Sequence, residues 1–250
     1  MQNLSHTIRR FNRFELKYMV TIQEAEKLKN ALRAYLSPDD HGDIHGSYQL
    51  ASLYYDSPDY RFYWEKLDGI KFRRKLRIRQ YENGVPLTAE TPVFVEIKQR
   101  LNRVTQKRRV RLHFRDALRL CNDREAPDHE PKDRPVIDEV LSMGWQYDLR
   151  PASVVTYARQ ALIGSAYDIG LRVTFDKDLR YRTNNLTLDD PNTGQFLFPP
   201  EWVVMEIKVN ERVPYWLTEL VSYHNLSLMR VSKYCRSIEM SRQGDHLGYF

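Results

Sequence analysis

The sequence predicts an α+β protein built on an antiparallel β-barrel or tunnel of about eight strands, with helices packed outside. Three observations lead there. Eight segments are rich in β-branched and aromatic residues, and most alternate them with charged ones. Helical spacing appears in stretches lying between those segments. No repeat, low-complexity tract or Gly/Ser linker interrupts the chain, so residues 1–250 read as a single domain. A closed or nearly closed barrel is favoured over an α+β sandwich because closure removes exposed edges.

The first strand is expected over about 10–18, where Arg13, Glu15 and Lys17 alternate with Phe14, Leu16 and Tyr18. Thr21-Ile22-Gln23-Glu24 has the form of a capping box, and Ile22, Ala25, Leu28, Leu32 and Tyr35 then recur at helical spacing. His41 and His45 are spaced like metal ligands, but their loop is polar and they read as solvated turn residues. A strand over 48–55 precedes Ser57-Pro58, a cap and first-turn proline for a short helix ending near Gly69. The strand over 71–81 puts Arg73, Lys75, Arg77 and Arg79 on one face, opposite Leu76 and Ile78. The next, over 92–100, groups Glu96, Lys98 and Arg100 opposite Val95 and Ile97. A third, over 104–114, groups Lys107, Arg109 and Arg111. Residues 122–134 read as a loop and 135–143 as an amphipathic helix. Strands over 152–161 and 170–180 follow, the second setting Arg172, Thr174 and Asp176 against Leu171, Val173 and Phe175. After a loop at 183–200, the strand over 202–209 places Glu206 and Lys208 opposite Met205, Ile207 and Val209, and 214–225 reads as a helix.

A net charge of +6 and a pI near 9.2 favour anionic partners. No apolar run approaches the roughly 20 residues of a bilayer span. The N-terminus lacks the order of a secretory signal, and two cysteines are too few for a disulfide framework, so a cytoplasmic protein without a membrane span of its own is expected. A strand with one charged face ordinarily turns it to water. Six such faces dominated by Lys and Arg fit a lumen better, with three carboxylates arriving in Glu-x-Lys pairs at Glu15, Glu96 and Glu206. Arginine forks and lysine point charges suit phosphate. A glutamate among them makes sense as the holder of a divalent ion bridging phosphate oxygens. Nucleic acid is not expected, since no recognition-helix, zinc-finger or RNP-like pattern appears. No Walker or dinucleotide loop is present, and Ser232, Cys121 and Cys235 read as structural.

The ordered motifs Arg13-Phe14-Glu15-Leu16-Lys17-Tyr18, Leu53-Tyr54-Tyr55-Asp56-Ser57, Lys75-Leu76-Arg77-Ile78-Arg79 and Val95-Glu96-Ile97-Lys98 carry a resemblance. It continues through Lys107-Arg108-Arg109, Tyr157-Ala158-Arg159, Leu171-Arg172-Val173-Thr174-Phe175-Asp176, Met205-Glu206-Ile207-Lys208 and Ser232-Lys233-Tyr234. Over residues 10–240 the chain resembles the polyphosphate-polymerase domain of the vacuolar transporter chaperone (VTC) family, within the triphosphate tunnel metalloenzymes. The resemblance implies a tunnel in which ATP or another triphosphate meets a growing inorganic polyphosphate chain. It makes Lys17, Arg77, Arg79, Lys98, Lys107, Arg159, Arg172 and Lys233 phosphate ligands with catalytic roles, Lys233 reaching in from a C-terminal helical segment. Glu206 becomes the principal ligand for manganese or magnesium. Lys208 joins as a ninth phosphate ligand of second rank, with Glu15, Glu96 and Asp176 as further secondary candidates, and charge pairing explains these four equally well. The first strand has one glutamate before its lysine, not the Glu-x-Glu-x-Lys of the adenylyl cyclase and thiamine-triphosphatase branch. The accessory inositol-phosphate-sensing domain and membrane anchor of the eukaryotic polymerases are not expected in these residues. Phosphoryl transfer from ATP to polyphosphate is the expected activity, with an inorganic triphosphatase or a noncatalytic polyphosphate-binding module as alternatives.

Overall fold

The structure, a computed structural model, describes residues 14–40, 42–82, 86–102, 104–164, 168, 170–210 and 212–246. Ten strands belong to one antiparallel sheet. Its main path runs through β1 (Phe14–Thr21), β10 (Trp202–Val209), β8 (Arg172–Arg182), β7 (Arg150–Gly164), β3 (Ser47–Asp56), β4 (Phe72–Glu82), β5 (Pro92–Leu101) and β6 (Val104–His113). The short β2 (Leu36–Pro38) pairs with β7, and β9 (Gln195–Phe196) with β8. All eight expected strands are present, with ends moved by up to four residues. Arg13 and His41 lie outside the described residues, while His45 is exposed.

Alternation separates two faces, as the two-residue period requires. The outer faces of β3 to β6 bury Leu53, Leu76, Ile78, Val95, Ile97 and Val110 beneath α3 (Phe114–Leu118), a π-helical turn (Arg119–Asp123) and α4 (Arg134–Tyr147). A second apolar layer joins Tyr18, Val173, Met205 and Ile207 to α1 (Ile22–Leu32) and to Leu217 of α5 (Tyr215–Tyr223). The capping box at Thr21 forms as expected: Thr21 Oγ1 accepts from the Glu24 N–H, and Glu24 accepts from the Thr21 N–H at 2.8 Å.

Two elements depart from the expectation. The short helix α2 (Arg61–Leu67) starts later than Ser57-Pro58 implies, because Tyr60 adopts a left-handed φ of 59°. Its first N–H groups are satisfied from upstream: Arg61 donates to Ser57 Oγ, and Phe62 and Tyr63 donate to the buried Asp56 carboxylate. The larger departure is α6 (Lys233–His246), which does not pack outside. Its Tyr234, Cys235 and Ile238 sit against Leu50, Tyr54, Val155, Tyr157 and Val204, on the inward face of the sheet. The sheet therefore curls around a C-terminal helix on its concave side. Ser232 caps that helix by accepting from the Cys235 N–H. No helix among the described residues is long and apolar enough to cross a membrane.

Candidate functional site

The inward face carries the charges. Strand register sets Lys17 beside Glu206, Glu15 beside Lys208, Arg77 beside Glu96, Glu96 beside Arg109, and Arg159 beside Asp176. A cavity of about 180 Å³ opens among them in front of the α6 N-terminus. Its walls include Lys17, Arg77, Arg79, Lys98, Arg159, Lys208 and Lys233, together with Glu15 and Glu206. A basic space is thus present, partly open to solvent. Two of the nine phosphate-ligand candidates, Lys107 and Arg172, do not line it. Lys107 stands behind Arg77, bonded to Glu96 at 3.0 Å. Arg172 turns to Asp39 at 2.5 Å and to the Tyr48 hydroxyl at 2.8 Å.

Each carboxylate serves several cations. Glu96 accepts from Arg77 at 2.6 and 2.9 Å and from Lys107, with Arg79 and Arg109 at 4.0 and 3.9 Å. Burial opposes its ionisation, but Arg77, Arg79 and Lys107 outweigh that and hold it well below the usual carboxylate range. Asp176 is fully buried and takes Arg159 through both oxygens at 2.6 and 2.8 Å, with Lys233 on Oδ2 at 2.6 Å. Burial again acts upward there and is overcome by Arg159 and Lys233. Glu15 clasps Lys98 at 2.7 and 2.9 Å. Glu96 and Asp176, open as charge-pairing residues in the sequence, occupy just that arrangement.

Glu206 differs. Its neighbours Lys208, Lys17 and Arg159 stand at 3.3, 3.7 and 3.9 Å, so it is held by charge at longer range than Glu96 or Asp176. Burial raises its pKa, yet Lys208, Lys17, Lys98 and Lys233 bring it well below the ordinary value. Burial likewise pulls the Lys208 ammonium down to about 7, against the opposing pull of Glu206. Beside Glu206 in register lies Thr174, wholly buried, with a hydroxyl that has no hydrogen-bond partner among the described residues. Among the described residues no three His, Cys, Asp or Glu side chains form a metal cage. The carboxylates that line the cavity are Glu206 and Glu15, oxygen donors of the kind a hard cation takes.

Residues not singled out as phosphate ligands in the sequence also line the cavity. Lys66, Arg73 and Arg100 add charge at its walls, and Lys75 donates to Ser232 Oγ at 2.6 Å. Lys17 donates to the Val231 carbonyl at 3.1 Å, joining β1 to the segment that precedes α6. Tyr54 and Tyr157 accept from Arg77 and Arg79 at 2.9 and 2.8 Å. Their position on inward-facing strand sites was the available signal, but an aromatic at such a site reads first as core.

Comparison with known proteins follows the same lines. The model of the family described as the VTC domain matches residues 12–242. Over 223 residues the chain is 25% identical to vacuolar transporter chaperone complex subunit 4 of Trypanosoma brucei brucei (strain 927/4 GUTat10.1). That match takes in 76% of this chain but spans only 28% of the relative's length. Among solved structures, a candidate adenylate cyclase from Bacillus halodurans superposes with a TM-score of 0.53 at 14% identity, covering 88% of this chain and 95% of that one. A candidate adenylyl cyclase from Hippeastrum, described as having a dominant triphosphatase activity, gives 0.49 at 13% identity over 89% and 92% of the two chains. At such identity the Bacillus structure is a likeness of fold alone.

Proposed function

The chain belongs to the VTC domain family, and from that premise we propose that its tunnel transfers the terminal phosphoryl group of ATP, or another triphosphate, to the end of an inorganic polyphosphate chain. The observation that carries this reading is the convergence of seven of the nine phosphate-ligand candidates, with Glu206, on one cavity. Phosphoryl transfer asks a protein chiefly for alignment and charge neutralisation. The arginines are already fixed for that task, because Glu96 and Asp176 hold the forks of Arg77 and Arg159. Their remaining N–H groups, with Lys17, Lys208 and Lys233, face the cavity and bind phosphate oxygens.

An oxygen of the acceptor's terminal phosphate attacks the terminal phosphorus of the donor. The bridging P–O bond breaks, and its electron pair leaves with the diphosphate. No side-chain nucleophile is required, and the hydroxyl of Ser232, beside Lys233 in sequence, already caps α6. Glu206 is the side chain that would hold manganese or magnesium. Such an ion, when bound, neutralises charge on the phosphate oxygens.

The test is incubation with ATP and manganese, followed by gel analysis for polyphosphate and assay of free phosphate. A ladder of polyphosphate is the expected result. Free phosphate without polymer would replace the reading with a triphosphatase, and binding without turnover would reduce it to a binding module. Glu206→Gln sharpens the test. It should keep or strengthen metal-free tripolyphosphate binding while reducing manganese-dependent turnover at least a hundredfold, of the order that one electrostatic stabiliser contributes. Undiminished metal-dependent turnover would remove Glu206 from the metal-binding role.

A further inference from the structure

Tyr54 is buried on the inward face of β3, its ring stacked on Tyr234 of α6 at a centroid distance of 5.3 Å, and it lines the cavity. A phenol both accepts and donates. The accepting side of this one is used by Arg77, whose Nη1 donates to it at 2.9 Å. The other edge of that guanidinium is locked on Glu96, so the arginine cannot turn away to release the oxygen. The hydroxyl hydrogen finds no acceptor among the described residues, and the neighbours around it are cations: Lys75, Arg77 and Arg79 from β4 and Lys17 from β1. Among these cations an anion in the cavity is the acceptor that charge favours.

We infer that Tyr54 is a further substrate-contacting residue, donating its hydroxyl hydrogen to a phosphate oxygen of the bound chain. This rests on the polyphosphate reading above and adds to it a neutral donor. Neutral donors matter in a cationic tunnel, since they hold phosphate without adding to the repulsion between lysines and arginines.

Ionisation supplies the readout. Burial pushes the Tyr54 phenol up, while the charges of Arg77, Arg79 and Lys75 bring it down to about 8. The groups facing it are Lys75, Arg77 and Arg79 from β4, Lys17 from β1 and Tyr234 from α6, with Glu96 of β5 beyond Arg77. Below that pH the hydroxyl is a donor. Above it, a phenolate faces the phosphate and must regain its proton for the bond to form, which costs affinity as pH rises.

The experiment compares tripolyphosphate affinity of the wild type and Tyr54→Phe across pH, without metal. The phenylalanine keeps the ring stacked on Tyr234 and removes only the hydroxyl. At about pH 6.5 the variant should bind about tenfold more weakly, the worth of one hydrogen bond to a charged group. By about pH 9.5 the difference should vanish, because the wild-type donor has been lost. Lys208 titrates in both proteins and cancels from the ratio. Equal affinities at the lower pH, or a ratio that does not change with pH, would overturn the assignment. A second measurement needs no variant. Tyrosinate absorbance of the wild type should show its earliest ionisation moving to higher pH when tripolyphosphate is saturating, and no movement also overturns it. If Arg77→Ala abolishes binding while Tyr54→Phe does not alter it, only the Tyr54 role fails; if the wild type binds no tripolyphosphate, the proposed function fails with it.

Discussion

Glu96 shows what a single residue does here. It is 1% exposed and has Arg77, Arg79, Lys107 and Arg109 within 4.0 Å. A carboxylate held below its ordinary range contributes stability above the unfolded pKa and loses it as pH falls through the folded value. Glu96 and Asp176 therefore stabilise the tunnel fully at neutral pH, and that contribution declines progressively as pH falls below the ordinary carboxylate range. Glu96→Gln leaves four cations facing one another with no counter-charge, and unpairing a buried charge costs about 3 kcal/mol or more. The unliganded variant should melt well below the wild type in calorimetry, and saturating tripolyphosphate should recover most of the difference by supplying the missing anion. A variant that melts with the wild type in the absence of ligand would show that Glu96 balances little.

At the scale of elements, α6 carries Lys233 to Asp176 and is itself fastened by its neighbour Tyr234, whose hydroxyl donates to Asp56. Asp56 also receives the N–H groups of Phe62 and Tyr63, so one carboxylate ties α6 to the start of α2. Tyr234→Phe removes one of these bonds from a buried acceptor and should cost about 1–3 kcal/mol in denaturant unfolding. A cost near zero would mean that the Tyr234–Asp56 bond adds little to the seating of α6. The eight long strands were legible in the sequence because alternation is a local signal, as in Arg73 to Arg79 or Leu171 to Asp176. The placement of α6 was not, because Tyr234, Cys235 and Ile238 meet strands distant in the chain, on a face that otherwise carries charge. The start of α2 was misjudged for a similar reason: Ser57-Pro58 has the form of a cap, but the side chain that receives the first helical N–H groups is mainly the preceding Asp56. In the site, the convergence of the basic strand faces was readable from parity alone. The withdrawal of Arg172 to Asp39 was not, since a partner 133 residues away leaves no local pattern.

Across the whole molecule, the strand path begins at β1 and ends at β6, and among the described residues no backbone hydrogen bond joins these two. The clasp between Glu15 of β1 and Lys98 of β5 spans the opening instead. A strand with one neighbour opens more readily than one with two. Amide exchange should accordingly be fastest, among the long strands, in β6, next in β1, whose outer edge takes only the Met229 N–H at the Lys17 carbonyl beside the Tyr18–Leu228 bridge, and slowest in β3 and β7. A polyanion that engages Lys17 and Lys98 together should slow both outer strands, measured by hydrogen–deuterium exchange with and without tripolyphosphate. Protection confined to β7 would place the ligand elsewhere. The same opening bears on how the proposed polymer would meet this protein. A ring sewn shut admits a thread only by its tip, so that each encounter waits on finding an end. A ring whose end strands meet through side chains and not through a backbone ladder can be unhooked there, and a thread whose ends are both far away can be laid in from the flank.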